Sequence, residues 1–424
     1  MFWRAKAAQS LIRMRGSSTP KGASGNAGRL ARAVVRELST SRNMEAFRFT
    51  VTHRDSQTKA RAGLLETLHG SIQTPVFMPV GTVGSVKGVS QETLEQLGVE
   101  ILLANTYHLH LRPGEQIVRE LGGLHRFISW DRPILTDSGG YQVFSMRGLR
   151  EIRDEGVQFR SHLDGSFHFL SPQRAMEIQF ALGSDILMVL DECIEFPAGL
   201  ATAEKAMERT LLWAERSLEI WQRQPHCDPA RPAGALFAIV QGGTYPELRR
   251  KCAVRLVEMD FPGYAIGGLS VGEARPLTYE LLAAAEEFLP EEKPRYAMGV
   301  GLPEELPHYV AQGVDMMDCV LPTRNGRNGC LFTSQGKLHI RQARFARDPR
   351  PLDESCGCAV CRRYSRAYLR HLFVSEEMLG RILNSYHNLF FYLDTMRKIR
   401  QTIAAGEFSR FLSDFTFQLQ GEVS

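Results

Sequence analysis

Cys356, Cys358 and Cys361 lie within six residues of one another, and His387 follows 26 positions after the last of them. Three soft thiolates and one imidazole match a tetrahedral Zn²⁺ site. Four protein ligands leave no open coordination position, so a metal held this way is structural and does no catalysis. His371 is the alternative fourth ligand. Clustered thiols in a long chain without a secretory signal point to metal, not to a disulfide framework. The other five cysteines (Cys193, Cys227, Cys252, Cys319 and Cys330) are scattered.

A second group of polar residues closes a series of apolar runs: Asn105, Asp137, Asp191, Gln241, Gly267–Gly268, Gly299 and Asp318. One aspartate in such a place commonly caps the helix that follows. Three carboxylates and a carboxamide converging on one rim are poorly explained by capping alone.

The runs themselves set the fold. They occupy 74–81, 100–106, 132–140, 184–193, 235–243, 263–270, 295–301 and 314–323. Each is nearly continuous in Val, Ile, Leu, Met and Ala, as for parallel strands buried on both faces. Helical patterns such as 90–98 and 206–223 lie between them. Eight βα units predict an α/β fold, a (β/α)₈ TIM barrel, with its active site at the C-terminal ends of the strands. A doubly wound sheet would more often carry G-x-G-x-x-G after its first strand, and 79–88 does not. The expected order is a basic extension over 1–43, then a barrel with an N-terminal cap over 44–323, the cap formed by strand-like segments in 47–75. A zinc-binding, basic subdomain follows over 324–390, and a C-terminal helical segment over 391–424.

Composition is that of a globular chain: 424 residues, 23% charged and 43% hydrophobic. No run approaches the roughly 18 apolar residues of a membrane helix. The net charge of +4 comes from residues 1–43, which hold nine Lys/Arg and one acid, Glu37. The rest carries 42 basic and 46 acidic residues, so global charge gives no argument for nucleic acid. A local patch does: Arg324 to Arg370 holds eleven Lys/Arg against three acids. It reads either as a phosphate-binding surface or as a solvated charged face. The Arg-, Ser- and Ala-rich residues 1–43 fit an organelle transit peptide. They fit as well a start placed too far upstream, with Met44 as the true one. The second reading is preferred, and with it a cytoplasmic location.

The motifs TDSGGYQV (136–143), LDEC (190–193), IVQGG (239–243), GGLSVGE (267–273), MGVG (298–301), DCVLPTRNGRNG (318–329) and CGCAVC (356–361) resemble the tRNA-guanine transglycosylases, a family also called queuine tRNA-ribosyltransferases. The resemblance spans about residues 47–417 and is closest to the bacterial, homodimeric members. It implies a barrel with a zinc-bearing insertion after the last strand. It also implies base exchange at the wobble guanine of tRNAs with a GUN anticodon (Asp, Asn, His, Tyr), a step of queuosine biosynthesis.

Residue by residue, the resemblance makes Asp318 the covalent nucleophile at the ribose carbon and Asp137 the proton acceptor and donor for the exchanging bases. Asp191, Gln241, the Gly268 amide, the Leu269 carbonyl and Ser138 would bind the base. Tyr141 and Met298 would sandwich it, and Arg324 and Arg327 would contact the anticodon uridines. The family's bacterial pattern has Cys where this chain has Cys193 and Val where it has Val271; eukaryotic members carry Val and Gly. A bulky Val271 narrows the pocket against queuine's cyclopentenediol, so the expected substrate is 7-aminomethyl-7-deazaguanine, the pre-queuosine base. A queuine-inserting enzyme of the same family and a non-catalytic RNA-binding subunit remain the alternatives. The long N-terminus departs from the bacterial pattern.

Overall fold

The computed structural model describes residues 47–145, 150–223 and 234–419; the basic stretch 1–43 lies outside them. Eight parallel strands close into a barrel: Val76–Gly81, Leu102–Ala104, Ile134–Thr136, Ile186–Met188, Ala235–Val240, Gly263–Ile266, Arg295–Ala297 and Met316–Cys319. They fall in the eight apolar runs. The eighth strand returns to the first in register, from Met316 opposite Val76 to Cys319 opposite Pro79. Every strand residue except Val80 is buried. Burial on both faces is why the runs lack an alternating polar pattern.

Local chemistry fixes the helices between them. The Ser90 side chain accepts from Thr93 N at the start of Gln91–Gln96. Ser171 does the same for Pro172–Leu182, where a proline fills the first turn and Gly183, at φ 74°, ends the helix. The predicted helix at 206–223 lies within Leu200–Arg223.

The N-terminal end of the barrel is closed by structural ion pairs. Arg48–Arg54, Arg61–Thr67 and Gly70–Thr74 form an antiparallel cap sheet. From it Arg61 reaches Asp315, just before the eighth strand, with Nε–Oδ1 at 2.9 Å and Nη2–Oδ2 at 2.6 Å. Both residues are buried. Removing either partner strands the other charge in the interior, at a cost of about 3–5 kcal/mol. Before the fourth strand, His69 and His125 stack with ring centroids 3.6 Å apart, each bonded to one oxygen of buried Asp185.

One element was not foreseen from sequence. Arg150–Arg153, Gly156–Arg160 and Phe167–Leu170 make a three-stranded antiparallel sheet between the third and fourth barrel strands. Its strands are only four or five residues long and partly exposed, too short for a clear period-two signal.

After the eighth strand come helix Leu321–Arg327, the hairpin Cys330–Thr333/Gly336–His339, helices Ala359–Arg363 and Arg366–Val374, and two C-terminal helices, Met378–Ala405 and Phe408–Leu419. Met378–Ala405 runs unbroken through residues 390 and 391, where the sequence suggested a segment boundary. Among the described residues no helix is long and apolar enough to cross a membrane.

Candidate active site and metal centre

Asp137, Asp191 and Asp318 all stand just after or at the C-terminal ends of barrel strands, and all three are buried. Asp318 closes on the seventh strand. Its Oδ1 accepts from the Tyr296 hydroxyl at 2.6 Å and from Gly299 N–H at 2.8 Å. Both bonds fall on one oxygen. Burial, with the negative charge of Asp137 added, raises the Asp318 carboxyl to about 6.

Asp137 is gripped on all sides. Oδ1 accepts from Thr106 N (2.8 Å) and Gly139 N (3.2 Å), and Oδ2 from Asn105 Nδ2 (2.5 Å) and Gln142 Nε2 (2.9 Å). Four donors around one carboxylate fit its ionised form. Burial still outweighs them and pushes its pKa up. Asp191 is raised to about 6, mainly by burial and further by Asp137. Asp137 thus lies within electrostatic reach of both other aspartates.

Asp191 joins the rest of the polar set. Gln241 Nε2 donates to Asp191 Oδ2 at 2.8 Å, and Ser138 Oγ to Asp191 Oδ1 at 3.3 Å. Gly268, at φ 61°, lies against Gln241: a Cβ there would sit 2.6 Å from Gln241 Oε1. A cleft beside them is lined by Ile194, Phe196, Gln241, Gly268 and Val271. Leu269 is buried, Met298 packs against the barrel core, and Tyr141 is 60% exposed on helix Gly140–Ser145. Burial drives the Cys193 thiol up to about 12, so it acts as a small apolar wall and not as a thiolate.

Arg324 and Arg327 share the short helix directly after Asp318; Arg324 is exposed and Arg327 half-buried. Among the described residues Arg327 Nη1 is buried without a hydrogen-bond partner. The remaining basic residues divide. Arg366 and Arg350 are held by Asp348, and Lys337 reaches Glu304, so these support the subdomain and do not form a free phosphate surface. Counting charges along the sequence cannot separate the two kinds.

Cys356, Cys358, Cys361 and His387 form a group able to hold a metal ion, with ligand atoms all within 4.8 Å of one another. His371 is not part of it. The three sulfurs lie 3.9, 3.5 and 3.4 Å from His387 Nδ1. A tetrahedral ion with metal–sulfur bonds of about 2.3 Å and metal–nitrogen bonds of about 2.0–2.1 Å demands a separation of about 3.5 Å. The other ring nitrogen, Nε2, lies 2.8 Å from the Phe332 carbonyl. Donating there leaves the Nδ1 lone pair facing the thiols, the usual outer bond of a ligating histidine. The next residue, Asn388, bonds Phe332 N, Pro322 O and Cys330 O, each at 3.0 Å. Gly326 packs so closely on the same helix that a Cβ would lie 2.8 Å from Ser385 N. The metal group and the arginine helix therefore share one support.

Sequence reasoning missed Tyr296, Gln142 and Arg249. Tyr296 lies inside a barrel strand and reads as core. Arg249 sits in an ordinary charged helix, Pro246–Glu258, with nothing local to mark it as buried.

Comparison with known proteins gives the family. The family model for queuine tRNA-ribosyltransferase matches residues 55–420. The queuine tRNA-ribosyltransferase of Koribacter versatilis (strain Ellin345) is 58% identical over 357 residues, covering 83% of this chain and 93% of that protein. The one from Caldanaerobacter subterraneus subsp. tengcongensis is 54% identical over 378 residues, 89% of this chain and 99% of the relative. With the barrel, the strand-end carboxylates and a family match over most of its length, this chain belongs to the queuine tRNA-ribosyltransferase family.

Proposed function

We propose that the protein is a tRNA-guanine transglycosylase, a pentosyltransferase that exchanges the wobble guanine of GUN-anticodon tRNAs for 7-aminomethyl-7-deazaguanine. The observation that carries this reading is the buried Asp318 with one free oxygen, within the field of a second buried carboxylate.

Asp318 Oδ2 attacks the ribose C1′ as the bond to guanine breaks, giving an enzyme–RNA ester and a base that takes up a proton. The incoming base then displaces the ester and loses a proton. Two displacements at one carbon retain configuration, which the tRNA product requires. Asp137 gives and takes the protons. Asp191 accepts from adjacent N–H groups of the base, while Gln241 and the Gly268 amide donate to its carbonyl. The Leu269 carbonyl and Ser138 complete the polar set, and Tyr141 and Met298 stack on the ring. The wobble nucleotide leaves the anticodon stack to reach this pocket. Arg324 and Arg327 hold the neighbouring uridines, a role supported by their place on the helix that directly follows Asp318. Val271 and Cys193 narrow the site against queuine.

The ion in the Cys₃His group is read as Zn²⁺. Its donor set and spacing fit that metal. Bound there, it would cross-link the insertion without taking part in the reaction. A cytoplasmic homodimer completes the reading.

The test is Asp318→Ala with radiolabelled guanine and tRNA. Loss of exchange, and of any enzyme–RNA species on denaturing gels, is expected, with circular dichroism and metal content unchanged. Retained turnover would overturn the nucleophile. A wild-type chain that exchanges no base would instead favour a non-catalytic RNA-binding subunit.

A further inference from the structure

Arg249 is completely buried, yet its hydrogen bonds all run to backbone carbonyls and none to a carboxylate. Nε donates to Gly243 O at 2.8 Å, Nη1 to Gly267 O at 2.9 Å and Nη2 to Gly268 O at 2.9 Å. A buried guanidinium without a paired anion is costly, and burial alone lowers this one to about 10. Its planar fork suits several acceptors at fixed angles better than lysine does.

The three carbonyls belong to two loops. One follows the fifth barrel strand directly after Gln241; the other follows the sixth strand and carries Gly267 and Gly268. Between them, Gln241 donates to Asp191. Gly268 sits in the left-handed region, and its missing Cβ leaves room for Gln241 Oε1 on one side and for Arg249 Nη2 at 3.4 Å on the other. Arg249 therefore stands behind the wall of the proposed base pocket and draws carbonyl oxygens of both loops toward itself. Within the plane of a trans peptide the carbonyl and the N–H of the next residue point in opposite directions, so a carbonyl held toward Arg249 aims that N–H away from it. A purine carbonyl would be repelled by free carbonyl oxygens and bound by N–H donors.

We propose that Arg249 is a positioning residue for base recognition. Its guanidinium turns the Gly243, Gly267 and Gly268 carbonyls away from the pocket, so that the wall offers N–H donors to the carbonyl of a guanine-like base. This rests on the base-pocket reading above. Arg249 touches neither the base nor the ribose, and its effect is on base binding, not on the tRNA.

The experiment compares wild type, Arg249→Lys and Arg249→Met by steady-state exchange, varying guanine and tRNA separately, with active-site concentration fixed by titration of the covalent enzyme–RNA species. Lysine keeps the charge but cannot span three carbonyls. KM for guanine should rise several-fold in Arg249→Lys and at least tenfold in Arg249→Met, with KM for tRNA within about twofold of wild type. A merely structural role would lower the active fraction and leave KM for guanine unchanged, and that result overturns the proposal. So would an equal rise in both KM values. If Arg249→Met does not fold, Arg249→Lys decides alone by the same criterion. Failure of wild type to exchange guanine would refute the function instead, so the two failures are distinguishable.

Discussion

Replacing Asp318 with asparagine should abolish base exchange and, at neutral pH, make the protein more stable. Unfolded, the Asp318 carboxyl titrates near its ordinary value of 3.8; folded, burial raises it to about 6. Between these values the native state holds a proton that the unfolded state has released, so stability falls as pH rises through that window. A shift of about two units at 1.36 kcal/mol each amounts to about 3 kcal/mol lost above pH 6. Asparagine is neutral throughout and escapes this loss, while its amide keeps an oxygen to accept from Tyr296 and Gly299. The variant should match wild type near pH 3.5 and gain up to about 3 kcal/mol by pH 8. Spread over a chain of this size, that is a rise in melting temperature of about 4 °C. Urea denaturation at pH 4 and pH 8, run beside the guanine-exchange assay, measures both halves. A variant equally or less stable at pH 8, or an advantage that does not grow with pH, would refute the view that burial destabilises this carboxylate.

Because Asp191 and Asp318 are both raised to about 6 and the proposed reaction needs both as anions, kcat/KM should fall on the acid side of that value with a limiting slope approaching two. At pH 5 each is ionised about one time in eleven, giving roughly a hundredth of the plateau rate, and a slope of one would mean a single titrating group. Val271→Gly should admit queuine, raising its kcat/KM at least tenfold while changing that for guanine less than threefold; incorporation of the two bases measures this. Cys358→Ser should lower bound zinc from about one equivalent to well below half by atomic emission, and raise KM for tRNA more than KM for guanine. The reverse order of effects would disconnect the metal group from the arginine helix.

The barrel was legible because parallel strands buried on both faces leave long unbroken apolar runs, and each run ends where the chain enters the mouth. That is why Asp137, Asp191, Gln241 and Asp318 could be named from sequence. The metal ligands were legible for a different reason: thiolates at such short spacing have few other uses. What stayed hidden depends on contacts far apart in the chain. The partners of Asp318 come from the seventh strand, and Arg249 acts through two separate loops. The basic patch showed its charge but not which arginines Asp348 had already claimed.

Helix Met378–Ala405 has 28 residues and so is about 42 Å long. His387 faces the thiols from it, Asn388 holds the carbonyl of Pro322, and about one and a half turns before the end Arg400 reaches the carbonyls of Gln73 and Pro75. A stiff rod of this kind cannot yield at one point without tilting elsewhere. On the proposed reading, loss of the ion from the thiols would slacken the grip of Arg324 and Arg327 on the anticodon, while the base cleft, lined by Gln241, Gly268 and Val271, would change less. Starved of zinc, such an enzyme would lose hold of its large substrate first and its small one last.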